Sequence, residues 1–131
     1  MSQDVLLEIR FIKHFVTKNK QERYLNLIAN AGKRKKFISE LAHFKFLDFS
    51  KFDKLNAAIE SVLKQRIGSI RDCYIISENK MIDTKRIEVE SALSQVIGYG
   101  MGTLLIFGDA KLVYYEGEEK NDRWLSKKIE P

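Results

Sequence analysis

The first half of the chain carries apolar residues at the three- and four-residue spacing that is typical of amphipathic helices. The stripe from Val5 to Val16 predicts the first helix, although residues 7–11 also alternate between apolar and polar in the manner of a strand. We favour the helix because the run is long and because Ser2 and Asp4 are residue types that start helices.

Two further helices are predicted on either side of a glycine. The first of them covers residues 21–31 and ends at Gly32, for which we expect the positive φ of a helix terminator. The second begins at the cations 33–36 and continues along an apolar face from Phe37 to Phe44.

A fourth helix is predicted between Ser50 and Gly68. Ser50 and Asp53 have the spacing of a capping box, and apolar residues from Phe52 to Leu63 recur on one face. Gly68 then supplies a helix end. Two cations lie off the apolar face and extend a basic surface: Lys64 and Arg66.

The second half of the chain reads as β-strands separated by turns. One helix interrupts them, with an apolar face from Val89 to Ile97 that is closed by Gly98. Apolar runs rich in β-branched and aromatic residues mark the strands. The predicted strands are 73–77, 86–89, 103–107, 112–115 and 123–127.

Together these elements predict an α+β fold, in which the helical N-terminal half packs on one face of a small, mostly antiparallel C-terminal sheet. A length of 131 residues and a mass of 15.3 kDa are typical of one domain, 1–131. Within it, we expect the helical layer at about 2–67 and the sheet-containing part at about 72–128.

Composition indicates a protein of a reducing compartment. Cys73 is the single cysteine, so no internal disulfide is possible, and the amino terminus lacks the pattern of a secretory signal. No apolar stretch approaches the roughly 18 residues of a membrane span. We therefore expect a cytoplasmic protein that does not contact a membrane.

Charge is distributed unevenly along the chain. Residues 1–71 hold 15 Lys or Arg and 7 Asp or Glu, a net charge of +8, whereas residues 72–131 carry −3. Such asymmetry favours an anionic partner for the first half, and the expected class of partner is nucleic acid or another polyanion. The candidate anion-binding residues are Lys33, Arg34, Lys35, Lys36, Lys64 and Arg66.

The cations 33–36 also break a local rule, because positive charge in the first turn opposes the helix dipole. A basic cluster beside free amide N–H groups could form an anion socket, and broken rules are common at functional sites. The alternative is a solvated turn with ordinary lysines. Our first hypothesis is thus a non-enzymatic binding protein with a basic helical surface.

A hydrolase is an alternative. Carboxylates that follow strand ends could meet at one edge of the sheet and work with a histidine as general acid and base. The candidates are His43, Glu78, Glu116 and Glu118. No HxxxH or CxxC spacing occurs, so we expect no metal and no cofactor. The glycines of GYGMG follow a helix and precede a strand, which is the wrong order for a nucleotide-binding loop.

A protein-interaction module, such as an immunity or regulatory protein, is a second alternative. Its contact surface would be an aromatic and acidic edge of the sheet. The structural alternative for the acids after the strand ends is a salt bridge from Glu116 or Glu118 to Arg123 or to the basic helices. The candidate interaction residues are Tyr115, Glu116, Arg123 and Trp124.

Three segments, ERYLNLIANAGKRKKFISELAHF, CYIISEN and GYGMGTLLIFGDAKLVYYEGEEKNDRW, resemble a family of small stand-alone bacterial proteins with no assigned activity. The resemblance spans about 22–124 and implies a bacterial cytosolic protein. It also implies a role for certain polar positions: Arg34, Lys36, His43, Ser77, Glu78, Glu116, Glu118 and Arg123.

Overall fold

The computed structural model describes residues 3–42, 47–119 and 122–128. Within these ranges, the helices are α1 (Val5–Phe15), α2 (Gln21–Ala29), α3 (Arg34–Ala42), α4 (Ile59–Ile67) and α5 (Val89–Val96). The strands are β1 (Phe52–Lys54), β2 (Asp72–Ser77), β3 (Arg86–Glu88), β4 (Thr103–Phe107), β5 (Leu112–Glu116) and β6 (Arg123–Ser126). The α+β fold class predicted from the sequence is confirmed.

The strands form one sheet in the order β1-β6-β5-β4-β2-β3, and every neighbouring pair is antiparallel. Strands β4 and β5 lie in the middle, and all five residues of each are buried. A strand that is covered on both faces reads as an uninterrupted apolar run, which explains why the sequence identified these strands well. The edge strands are β1 and β3.

Helices cover both faces of the sheet. The first core joins Phe11 and Phe37 to Tyr74 and Ile106, so α1, α2 and α3 lie on that face. The second core joins Leu63 and Leu93 to Leu105 and its neighbours, so α4 and α5 lie on the other. The prediction that the helices pack on a single face is wrong, because α4 supplies a second apolar layer.

Helix α1 forms as predicted, and the strand alternative for this segment is wrong. The side chain of Asp4 accepts a hydrogen bond from Leu7 N at 3.1 Å, which satisfies one of the unpaired amides of the first turn. Helix α2 ends at Ala29, with Asn30 as its C-cap, and does not reach Gly32. Gly32 belongs to a short 3-10 turn and does not adopt positive φ, so its role as helix terminator is a wrong prediction.

The segment after Ser50 corrects the predicted fourth helix. Ser50 N and Oγ donate to Asp48 Oδ1 at 3.2 and 2.6 Å, so no capping box joins Ser50 to Asp53. Residues 52–54 form edge strand β1, in which Phe52 pairs with Ser126. The helix begins only at Ile59. Pairing with β6 and burial of Phe52 therefore outweigh the local helical pattern, and the sheet begins within the first half of the chain.

Among the described residues, no helix combines the length and the apolar character that a bilayer crossing requires.

Two leucines test the core. Leu104 in β4 is fully buried, and Leu104→Ala should lower the free energy of unfolding by about 2–5 kcal/mol, because it leaves a cavity between the sheet and α1 to α3. Urea denaturation followed by circular dichroism measures the change. Leu6→Ala is the matched control, since Leu6 is 69% exposed and its loss should change stability little. Equal effects of the two variants would contradict the packing described.

Candidate functional site

The six candidate anion-binding residues do not share a surface. Residues 33–36 belong to the α3 side of the sheet, whereas Lys64 and Arg66 are on α4, against the other face. Lys64 Nζ lies 3.1 Å from Glu90 and 3.4 Å from Glu60, and Arg66 lies 3.8 Å from Asp53. The prediction of one basic patch from both helices is therefore wrong, because the sheet separates them and acids pair with the α4 cations.

Arg34 is a buried structural cation instead of a surface one. Its Nε and Nη2 donate to the two carboxylate oxygens of Asp83 at 2.8 and 2.9 Å, and Nη1 donates to Glu8 at 3.1 Å. The Arg34 side chain is only 17% exposed. Burial alone would lower the pKa of Arg34, but the hydrogen bonds that it donates to Asp83 and the charge of Glu8 raise it, so the guanidinium stays protonated.

The amide groups that precede α3 are already bonded. Asn30 Oδ1 accepts from Gly32 N at 2.9 Å, Asn30 O accepts from Lys33 N at 2.8 Å, and Ala31 O accepts from Arg34 N. The amides of residues 32–34 are therefore not free to form the predicted anion socket. We expect an anion bound here to be held mainly by side chains.

A cleft of about 390 Å³ opens between α3 and the connection from β2 to β3. The Arg34–Asp83 pair joins its two walls, and Asp83 Oδ1 also accepts from Ser77 N at 3.0 Å. Lys35 on one wall and Lys80 on the other are both exposed. The lining residues are Arg34, Lys35, Ile38, Ser39, Ser77, Glu78, Lys80 and Asp83.

The polar groups next to the cleft form hydrogen bonds within the protein. Ser77 Oγ lies 2.7 Å from Thr103 Oγ1 and accepts from Asn79 N at 3.0 Å. Glu78 Oε1 accepts from Gly102 N at 2.7 Å. Ser77 is thus fixed by structural hydrogen bonds, and Glu78 joins the cleft to the glycine segment 98–102.

Glu116 holds the other end of the glycine segment. This fully buried carboxylate accepts from Gly98 N at 3.1 Å, from Gly100 N at 2.9 Å and from Tyr114 Oη at 2.9 Å. Arg123 Nε lies 3.2 Å from it and balances its charge, so the predicted ion pair between Glu116 and Arg123 is confirmed. Burial, with the Glu116 charge, raises the pKa of Tyr114 and keeps its hydroxyl a donor.

The candidate catalytic residues are not brought together as a set. Glu78 lines the cleft, whereas Glu116 is enclosed and every one of its bonds goes to the protein itself. Glu118 is exposed on the loop after β5. His43 lies outside the described residues. The expected convergence of Glu78 and Glu116 on one reaction centre is therefore wrong, because they fix opposite ends of one loop.

The candidate interaction residues are interior. Tyr115 and Glu116 are fully buried, Arg123 is buried and Trp124 is half-buried. Their strands are not at an edge, because β6 lies between β5 and β1. The prediction of an exposed sheet edge from these residues is wrong for that reason.

Sequence reasoning missed one residue of these networks, Glu8, and it missed the pairing of Asp83 with Arg34. Glu8 is fully buried, and its Oε2 accepts from Tyr74 Oη at 2.7 Å. A charged residue between the buried Leu7 and Phe11 on an apolar helix face was the available signal. Asp83 offered no such signal, because its partner Arg34 is 49 positions away.

Comparison of the chain with protein-family models, with curated proteins and with solved structures found no match. The resemblance to small bacterial proteins consequently stays a prediction. Of the positions that it implicated, Arg34, Ser77 and Glu78 line the cleft, and Glu116 and Arg123 form the buried pair. The function has to be inferred from these side chains.

Replacing Arg34 tests the first network. Arg34→Met should lower the free energy of unfolding by about 3–5 kcal/mol, because the Glu8 carboxylate would stay buried without its cation. Chemical denaturation checks it. The neighbouring Lys35→Met removes an exposed charge from the same helix and should leave stability nearly unchanged. A small loss for both variants would show that the pair is not structural.

Replacing Glu116 tests the second network. In Glu116→Gln, the amide NH2 would face the N–H groups of Gly98 or Gly100 or the guanidinium of Arg123, and we expect a loss of about 3–5 kcal/mol. The exposed Glu119→Gln is the control and should unfold like the original chain. Unfolding midpoints that coincide for the two variants would contradict the role of Glu116.

Proposed function

We propose that this chain is a non-enzymatic binding protein for a polyanion, with nucleic acid as the favoured class. The contacts are made by four lysines, Lys33, Lys35, Lys36 and Lys80, which we call the lysine rim. The observation that carries the proposal is that Lys35 and Lys80, on different elements, line the same cleft.

The charges around the lysine rim favour an anion. Asp83, which lies on the same wall as Lys80, is bonded through both oxygens to Arg34, which offsets its charge. Glu40 on the outer part of α3 is paired with Arg23, and hydrogen bonding from Arg23 lowers the pKa of Glu40. The exposed ammonium groups of the rim are opposed by Glu78, which also bonds to Gly102, and Lys36 shares the charge of Glu40 with Arg23.

Binding is favoured over catalysis because the polar groups of the cleft region serve the fold. Arg34, Asp83 and Ser77 use their polar atoms within the protein. The remaining cations are flexible lysines, which contact phosphates as point charges without fixing a bidentate geometry. Sequence-independent contact with a phosphate backbone suits such a surface.

The expected binding is weak and depends on salt. Fluorescence anisotropy with labelled single- and double-stranded oligonucleotides of mixed sequence, at about 50 to 200 mM salt, should give dissociation constants of roughly 10⁻⁶ to 10⁻⁴ M. Replacing all four rim lysines by alanine should weaken binding at low salt. It should also reduce the steepness of the slope of log affinity against log salt concentration by roughly 3, since each phosphate contact contributes about 0.7 to 0.9 to that slope.

A charge-matched control separates the rim from net charge. Lys18→Ala, Lys64→Ala, Arg71→Ala and Lys111→Ala together remove four exposed cations from elsewhere on the chain, including α4 and the turn between β4 and β5. This variant should keep most of the affinity. If it loses as much as the rim variant, or if neither type of oligonucleotide binds in a salt-dependent way, the proposed function is wrong.

A further inference from the structure

The glycine segment 98–102 displays two large apolar side chains to solvent. Tyr99 is 66% exposed and Met101 is 38% exposed, although both belong to a loop whose neighbours, Val96 and Thr103, are buried. Exposed tyrosine and methionine are enriched at protein interfaces, and burial of the tyrosine ring would remove a large apolar surface from water. Neither side chain is used by the cleft or by the core.

This loop is held in one conformation. Glu116 accepts from Gly98 N and Gly100 N, Glu78 accepts from Gly102 N, and Tyr99 N donates to Val96 O at 3.2 Å. Gly98 and Gly100 have φ of 90° and 69°, which favours glycine at both positions. A partner would therefore meet Tyr99 already in place, with little entropy lost on ordering the loop.

An acidic segment lies against the same loop. A Cβ at Gly100 would be 3.4 Å from Glu118 O, so the two backbones are adjacent, and Glu118 and Glu119 are both exposed. The nearby cation Arg123 is buried, and its Nη1 donates to Glu119 O at 2.9 Å, which fastens the acidic segment from inside. The outer surface thus combines an aromatic ring with carboxylates.

We propose that Tyr99, Met101, Glu118 and Glu119 form a docking surface for a basic, arginine-containing segment of a partner protein. A guanidinium can stack on the Tyr99 ring and pair with a carboxylate at the same time, and Met101 offers an apolar contact beside them. Charge complementarity selects this occupant. The carboxylates of Glu118 and Glu119 repel phosphates, so a nucleic acid does not fit here. The docking surface is separate from the lysine rim.

The experiment uses the full chain labelled with ¹⁵N and a peptide of about twelve residues that alternates arginine and leucine, a defined probe for such a segment. Two matched peptides replace every arginine by lysine or by glutamate. The arginine peptide should shift the backbone amide signals of Tyr99, Met101 and Glu118. The lysine peptide should bind less tightly, because arginine makes the better stacking contact, and the glutamate peptide should not shift these signals.

Variants assign the contacts. Tyr99→Ala should weaken binding of the arginine peptide about threefold or more, and Glu118→Gln with Glu119→Gln should weaken it and reduce its salt dependence. The matched controls are Leu6→Ala, at a similarly exposed apolar residue, and Glu22→Gln with Glu88→Gln, at exposed carboxylates elsewhere. Both controls, and the variant without the four rim lysines, should bind the peptide as the original chain does.

Three results would overturn the inference. The first is the absence of shifts at the named amides with millimolar arginine peptide, or equal affinity for the Tyr99→Ala variant. The second is a shift of the Tyr99 signal by a single-stranded oligonucleotide, which would assign the surface to nucleic acid. The third is a shift of the same amides with protein concentration alone, which would assign it to a second copy of the chain. The second and third would leave the lysine rim to be judged by its own experiment.

Discussion

The Arg34 guanidinium, held between Glu8 and Asp83, determines how the helical layer meets the sheet. Glu8 comes from α1, Arg34 from the start of α3, and Asp83 from the connection between β2 and β3. A fully buried carboxylate is costly unless a cation and hydrogen bonds satisfy it, so these three segments can only pack together when Arg34 is in place. That ion pair also joins the two walls of the cleft that Lys35 and Lys80 line.

Glu116 stabilises the glycine segment 98–102, as Arg34 stabilises the contact between the helical layer and the sheet. Its bonds to Gly98 N and Gly100 N satisfy backbone amides that no strand or helix pairs, and Arg123 offsets the charge. The glycine segment can therefore be ordered without hydrogen bonds to a strand or a helix. Because the loop is stabilised from inside, the side chain of Tyr99 remains available to solvent.

The sequence predicts what depends on local pattern and misses what depends on distant partners. The buried strands β4 and β5 are apolar except for Thr103 and Glu116 at their ends, and Asp4 caps α1 from three residues away, so both can be predicted. The helical periodicity after Phe52 is also real, yet pairing with β6, more than 60 residues later, makes that segment a strand. Arg34 looks like a surface cation for the same reason, since Asp83 is remote in sequence.

The same limit explains why the net charge of a sequence segment does not locate a binding surface. A charge of +8 over residues 1–71 describes composition, but α3 and α4 place their cations on opposite sides of the sheet. What concentrates at one end of the sheet is a set of hydrogen-bonded carboxylates. Asp83 and Glu78 accept from backbone amides at the end of β2 and just before β4, and the buried Glu116 lies opposite Thr103 at the start of β4. Buried charge lowers stability unless it is fully paired. We therefore expect paired buried charges where a surface has to be held in a fixed geometry. That end, with a basic cleft and an acidic, aromatic loop joined through Glu78, is where we place the function of this protein.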